Sequence, residues 1–166
     1  MEGIVIRNMS VDDLPQVHAI ENLIYRDPWS ISSLSYELKN SEAILQVATS
    51  RESIIGYVCI RSILDVTHLL KITVLPVFRR RGVAFHLFEK ALQKLRQVKG
   101  ENLHVTLEVR ESNNAAISLY EKSGFKENGR RKGYYKSPDE DAVIMGLNIH
   151  NGTGNKTTQG QSDKGT

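Results

Sequence analysis

The chain has 166 residues, 40% apolar and 25% charged, a composition that fits one soluble domain able to bury a core without cross-links. The single cysteine, Cys59, excludes an intramolecular disulfide and a cysteine metal cluster, and no apolar run reaches the about 18 residues that a membrane-spanning helix needs. A formal charge of +3 suits an anionic cofactor but is too weak to argue nucleic-acid binding.

Met1-Glu2 begins acidic and runs straight into the alternating pattern Ile4-Val5-Ile6-Arg7, so the N-terminus reads as a first strand and not as a signal peptide. Ser10-Val11-Asp12-Asp13 reads as a helix start, with a hydroxyl to cap early amides and acids at the positive end of the dipole. That helix is expected to reach Tyr25, burying Leu14, Val17 and Ile24, and to break at Asp27-Pro28. Ser30 caps a second helix with Ile31, Leu34 and Leu38 on one face. Strands at 44–49, 53–61 and 66–74, joined by short polar turns, predict an antiparallel meander that Pro76 ends. Cys59 falls in the second of these strands as a small core residue.

From Gly82 the apolar residues Ala84, Leu87, Phe88, Ala91, Leu92 and Leu95 recur at helical spacing until Lys99-Gly100. A strand follows at 103–109, a helix from Asn113 to Ser123 closed by Gly124, and a hairpin of 125–135 with 142–148 around Ser137-Pro138-Asp139-Glu140. From 149 to 166 there is almost no large apolar residue, so residues 1–148 are read as the folded domain and the rest as a disordered polar tail.

The densest signal is Leu69-Leu70-Lys71-Ile72-Thr73-Val74-Leu75-Pro76-Val77-Phe78-Arg79-Arg80-Arg81-Gly82-Val83-Ala84, a strand passing through a tight basic loop into a helix N-terminus. Exposed amides and the helix dipole make such a terminus an anion site, and Gly82 lets a ligand approach the backbone. A solvated basic turn is the plain alternative. The spacing matches neither the dinucleotide fingerprint nor the nucleotide-hydrolase phosphate loop.

The spacing Arg79-x-x-Gly82-x-Ala84 resembles the pyrophosphate loop of the GNAT superfamily of N-acetyltransferases. A second block, Leu107-Glu108-Val109-Arg110 before Asn113-x-x-Ala116-x-x-Leu119-Tyr120 and Gly124-Phe125, is similar to the RimI-type ribosomal-protein alanine N-acetyltransferases. Pro28-Trp29-Ser30 and Arg130-Arg131-x-x-Tyr134-Tyr135 resemble two further segments of the same subgroup. The likeness implies an α/β fold with a central, mostly antiparallel sheet splayed between strands 4 and 5, after Val74, and flanked by helices. It implies acetyl-CoA as co-substrate and no metal. Amides of Arg80, Arg81, Gly82, Val83 and Ala84, with Arg79, would hold the pyrophosphate, and the strand Ile72-Thr73-Val74 would pair with the pantetheine arm. Asn113 is a natural helix cap whose family counterpart contacts the cofactor.

Transfer to an amine needs a base, an oxyanion donor and a proton for the leaving thiolate. An α-amino group, with pKa about 7.7–8.0, gives up its proton near neutral pH at a cost of about 1 kcal/mol, so a carboxylate acting directly or through water suffices. Glu108 is the candidate base, Tyr120 the candidate acid, and a backbone N–H near Val74 the candidate oxyanion donor. A solvated strand glutamate and a packing tyrosine are the plain readings of the same residues. Trp29, Tyr134 and Tyr135 are candidate contacts to the acceptor peptide. Lys71 departs from the small or amide residue usual in RimI-like strands; pointing toward the acceptor, its charge would repel a protonated amine.

The expected function is therefore acetylation of a protein N-terminal alanine, with a small-subunit ribosomal protein as acceptor, by a cytoplasmic monomer or weak dimer that contacts neither nucleic acid nor membrane. The alternatives are acetylation of lysine or small-molecule amines on the same fold, and a silent acyl-CoA sensor.

Overall fold

The computed structural model describes residues 3–150. The polar segment from 151 onward, expected to be a disordered tail, lies outside the described residues. One sheet runs through the molecule in the order β1-β2-β3-β4-β5-β7-β6. Its strands are β1 (Ile4–Asn8), β2 (Ala43–Ser50), β3 (Ser53–Ile63), β4 (Val66–Val74), β5 (Leu103–Arg110), β6 (Lys126–Tyr135) and β7 (Glu140–Ile149). Every neighbouring pair is antiparallel except β4 and β5. Those two are joined by a crossover through a helix, the connection that parallel neighbours require.

Four helices cover the two faces. On one lie α1 (Leu14–Ile24) and α2 (Ile31–Lys39), packed over a cluster that includes Val17, Ile20, Leu34, Val47, Tyr57 and Cys59. On the other lie α3 (Val83–Lys99) and α4 (Asn114–Lys122), over Ile55, Val58, Leu87, Phe88, Val105, Leu107 and Phe125. Period-two alternation in β3 explains the division: Tyr57 and Cys59 face α1 and α2, whereas Val58 and Ile60 face α3.

Local chemistry sets the helix starts. The Asp13 carboxylate accepts from the Ser10 N–H at 2.8 Å and takes a two-pronged bond from Arg7 at 2.7 and 2.8 Å. The chain therefore makes a short 3-10 turn, Val11–Asp13, before α1 begins. The Ser30 hydroxyl accepts from the Ser33 N–H at 3.1 Å and starts α2, as expected. Ile31, grouped with Leu34 by its spacing, is not buried with it. It is 45% exposed, because it occupies the first residue of α2, and the buried positions of that helix are Leu34 and Glu37.

The sheet opens earlier than the position after Val74 expected from the sequence. Strands β4 and β5 pair only from Val66 to His68 against His104 to Thr106. The cause is a bulge on β4. Cys59 pairs with Lys71 and the next residue, Ile60, pairs with Leu69, so Leu70 is the extra residue. A bulge bends its strand and increases the local twist, which carries β4 away from β5. It also exchanges the faces beyond it: Leu69 packs toward α3, whereas Lys71 and Thr73 turn toward α1 and α2.

Gly56 permits the close approach of β3 to the opened strand. A Cβ there would meet the Thr73 carbonyl oxygen at 2.6 Å. Gly56→Ala is expected to lower unfolding stability by about 1–3 kcal/mol, read as a lower urea midpoint. An unchanged midpoint would show that β4 can give way without cost.

Candidate active site

Beyond His68 the β5-facing side of β4 has no strand partner among the described residues. The Leu75 N–H donates to the Ile55 carbonyl at 2.8 Å, toward β3. Alternate residues of an antiparallel pair turn their backbone groups to opposite sides, so Ile72 and Val74 present theirs to the gap. The Val74 carbonyl is met there by the Arg79 guanidinium, whose Nε donates at 2.9 Å. Arg79 therefore ties the end of β4 to the loop that follows.

That loop turns through two left-handed residues, Arg80 (φ 61°) and Gly82 (φ 78°). At Gly82 a side chain would meet only the His86 ring, at 3.7 Å, so the conformation and not the space calls for glycine. The first bond within α3 is from the His86 N–H to the Gly82 carbonyl at 3.0 Å. The amides of Val83, Ala84 and Phe85 precede it and have no acceptor in the helix. Arg81 lies over the Phe78 ring at 5.6 Å, and the three arginines are exposed. Positive dipole, free amides and guanidinium charge thus meet at one end of the gap, an arrangement suited to a pyrophosphate.

Glu108 stands on β5 two residues beyond its last pairing with β4, and Tyr120 stands on α4. Glu108 projects from β5 on the face opposite the buried Leu107 and Val109, half-buried, with Oε1 3.6 Å from an Arg131 nitrogen of β6. Arg131 also lies 5.5 Å from the Tyr134 ring, and Tyr134 and Tyr135 meet edge to face with centroids 5.1 Å apart. The Arg110 guanidinium covers the Tyr135 ring at 4.5 Å. Burial, with smaller contributions from Tyr134 and from the Glu108 charge, pushes the Tyr135 phenol up to about 12.

Tyr120, on α4, stacks edge-on against Phe125 at 5.8 Å. Burial raises its phenol well above the ordinary tyrosine range, and the nearby phenols of Tyr25 and Tyr135 add to the shift. Asn113 caps α4, its Oδ1 accepting from the Ala116 N–H at 3.2 Å.

The residue-family profile of the acetyltransferase (GNAT) family matches residues 14–125, which contain the opened strand, the basic loop, Glu108 and Tyr120. The chain belongs to the GNAT family. Ribosomal protein bS18-alanine N-acetyltransferase of Escherichia coli is 34% identical over 146 residues, covering 87% of this chain and 97% of that one. An N-alpha-acetyltransferase of Saccharolobus solfataricus is 32% identical over 153 residues, covering 84% and 90%. The crystal structure of the Escherichia coli ribosomal-protein alanine N-acetyltransferase superposes with a TM-score of 0.79 at 32% identity, covering 89% of this chain and 94% of that one. As a GNAT member with these relatives the protein is an N-acetyltransferase.

The buried group of this GNAT chain that sequence reasoning missed is Glu21, with Tyr25 beside it. Glu21 is completely buried; its Oε1 accepts from the Tyr57 hydroxyl and its Oε2 from the Trp29 N–H at 2.9 Å. Lys71 points inward, Nζ 3.4 Å from Glu21 Oε2 and 3.8 Å from the centre of the Tyr25 ring. Burial lowers the Lys71 ammonium below its ordinary value, against an opposing pull from Glu21. Tyr25 and Thr73 share a hydroxyl hydrogen bond of 2.6 Å. The available signal was an acid on an apolar stripe: Leu14, Val17, Glu21 and Ile24 recur on one helical face.

The cap on α4 gives a direct check of the geometry beside Tyr120. Asn113→Ala is expected to cost about 1 kcal/mol of stability in chemical denaturation, and Asn113→Asp to restore most of it. Equal stability of all three proteins would mean that the cap does not fix the start of α4.

Proposed function

We propose that this enzyme transfers the acetyl group of acetyl-CoA to the N-terminal α-amine of a protein, with an alanine-starting ribosomal protein as its first candidate acceptor. The observation that carries the reading is the opened β4–β5 gap, with free backbone groups along one wall and Glu108 and Tyr120 at its sides. The residues present fit acetyl-CoA. The amides from Arg80 to Ala84 with the loop arginines would hold the pyrophosphate, the edge of Ile72, Thr73 and Val74 would pair with the pantetheine arm, and Asn113 would add a polar contact. Acetyl-CoA supplies an activated acyl group as a thioester.

The chain's own groups supply the proton handling. Glu108, directly or through a water, takes the proton from the α-ammonium, a modest task near neutral pH at about 1 kcal/mol. The Val74 N–H, turned into the gap, is the donor toward developing oxyanion charge. Tyr120, a phenol protonated at neutral pH like any tyrosine, donates toward the leaving sulfur. The acceptor's first residues are assigned to Trp29 on one side and to Tyr134 and Tyr135 of the β6–β7 hairpin on the other. The RimI-like relatives support an α-amine acceptor, and the pairing of Lys71 with Glu21 offsets the charge that lies beside Trp29.

Release of CoA from acetyl-CoA, followed with a panel of acceptors, tests this. Peptides starting with alanine or serine should turn over, and N-blocked lysine peptides and polyamines should not. Turnover confined to lysine or polyamines would reassign the acceptor, and binding without turnover on any acceptor would make the protein an acyl-CoA sensor. Glu108→Gln and Tyr120→Phe should each lower kcat by roughly 10²–10⁴-fold with acetyl-CoA affinity nearly unchanged. Ping-pong steady-state kinetics would contradict direct attack, because no acetyl-enzyme should form.

A further inference from the structure

Glu21 takes no part in the proton transfers assigned to Glu108 and Tyr120, yet it is the most completely enclosed carboxylate of the described residues. An isolated buried carboxylate is costly, and an apolar residue would fill the space more cheaply unless the charge does something there. Its partners come from three separate elements: the Tyr57 hydroxyl on β3, the Trp29 N–H between α1 and α2, and the Lys71 ammonium on β4. Lys71 reaches this face only because the bulge at Leu70 exchanges the faces of β4. Its ammonium then rests against the two aromatic rings of the same connection, 3.8 Å from the centre of Tyr25 and 5.0 Å from that of Trp29. Two residues further along β4, Thr73 holds the Tyr25 hydroxyl at 2.6 Å. The α1–α2 connection is thus clasped to β4 at successive positions of one face, along the strand whose free edge lines the gap.

We propose that Glu21 is a positioning residue for the acceptor. Through the Trp29 amide and Lys71 it fixes the aromatic wall of the acceptor entrance at a set distance from the strand that carries the acetyl donor, and it balances the Lys71 charge so that a cationic peptide end can approach. The inference rests on the reading of Trp29 as a wall of that entrance. It makes Glu21 and Lys71 determinants of acceptor binding without contact to the reacting atoms.

Trp29 is the single tryptophan of the chain, so its fluorescence reports on the clasp independently of activity. Glu21→Gln and Lys71→Gln should each shift Trp29 emission to the red and raise the acceptor KM by roughly tenfold or more, with acetyl-CoA affinity by calorimetry held within about twofold. A folded variant with unchanged emission and acceptor KM would overturn the proposal. So would a loss of acetyl-CoA affinity as large as the rise in acceptor KM, which marks a general structural role. If Glu21→Gln fails to fold, Lys71→Gln decides, since it removes one of three partners and leaves the Tyr57 and Trp29 bonds to Glu21 in place. If the wild-type protein acetylates no α-amine, the functional reading fails separately, and a red shift of Trp29 still supports the clasp while its absence still overturns it.

Discussion

A strand in the middle of a sheet cannot leave one edge without hydrogen-bond partners unless something other than a strand meets it. In this protein the bulge at Leu70 imposes that condition on β4. Its backbone groups at Ile72 and Val74 face a gap, and among the described residues only the Val74 carbonyl is answered, by Arg79. The remaining features of the site follow from the gap. The basic loop and the bare amides of α3 stand at one end of it, and α4 brings Tyr120 to it. The antiparallel return of β7 and β6 sets Arg131 and the two hairpin tyrosines beside Glu108.

The same bulge organises the opposite side of the strand. By exchanging faces it sends Lys71 and Thr73 under the α1–α2 connection, where Glu21 and Tyr25 hold them. One irregularity thus shapes both sides of the proposed site. It frees backbone groups toward the acetyl donor and draws a charged anchor toward the wall where the acceptor peptide is proposed to enter. Burial raises the Tyr120 and Tyr135 phenols above the ordinary tyrosine range.

Much of this was legible in the residues. The bounds of β4 were read from the polar turn before it and from Pro76, and the stripe of α3 from Leu87 to Leu95 was read from its spacing, because both depend on local pattern. The loop at Arg79 to Ala84 was legible through its sequence motif. The bulge was not, because an extra residue is defined by what pairs across the strand, and the spacing within Leu69-Leu70-Lys71 reads as an ordinary strand. The opening was accordingly placed too late, after Val74. Glu21 was passed over because a helical glutamate is ordinarily solvated, and only the partners from β3, β4 and Trp29 explain its burial. Ile31 was grouped with Leu34 and Leu38 on spacing alone, which does not reveal that the first residue of α2 is exposed.

Amide hydrogen exchange of the full chain with and without acetyl-CoA tests the central claim most directly, since it reads the backbone groups that the open edge leaves free. Slower exchange is expected at Ile72, Val74 and the amides from Arg80 to Ala84, with the β5–β7 ladder unchanged. Binding of acetyl-CoA that leaves those amides unprotected and slows exchange elsewhere would contradict the assignment of the β4–β5 gap as the donor site.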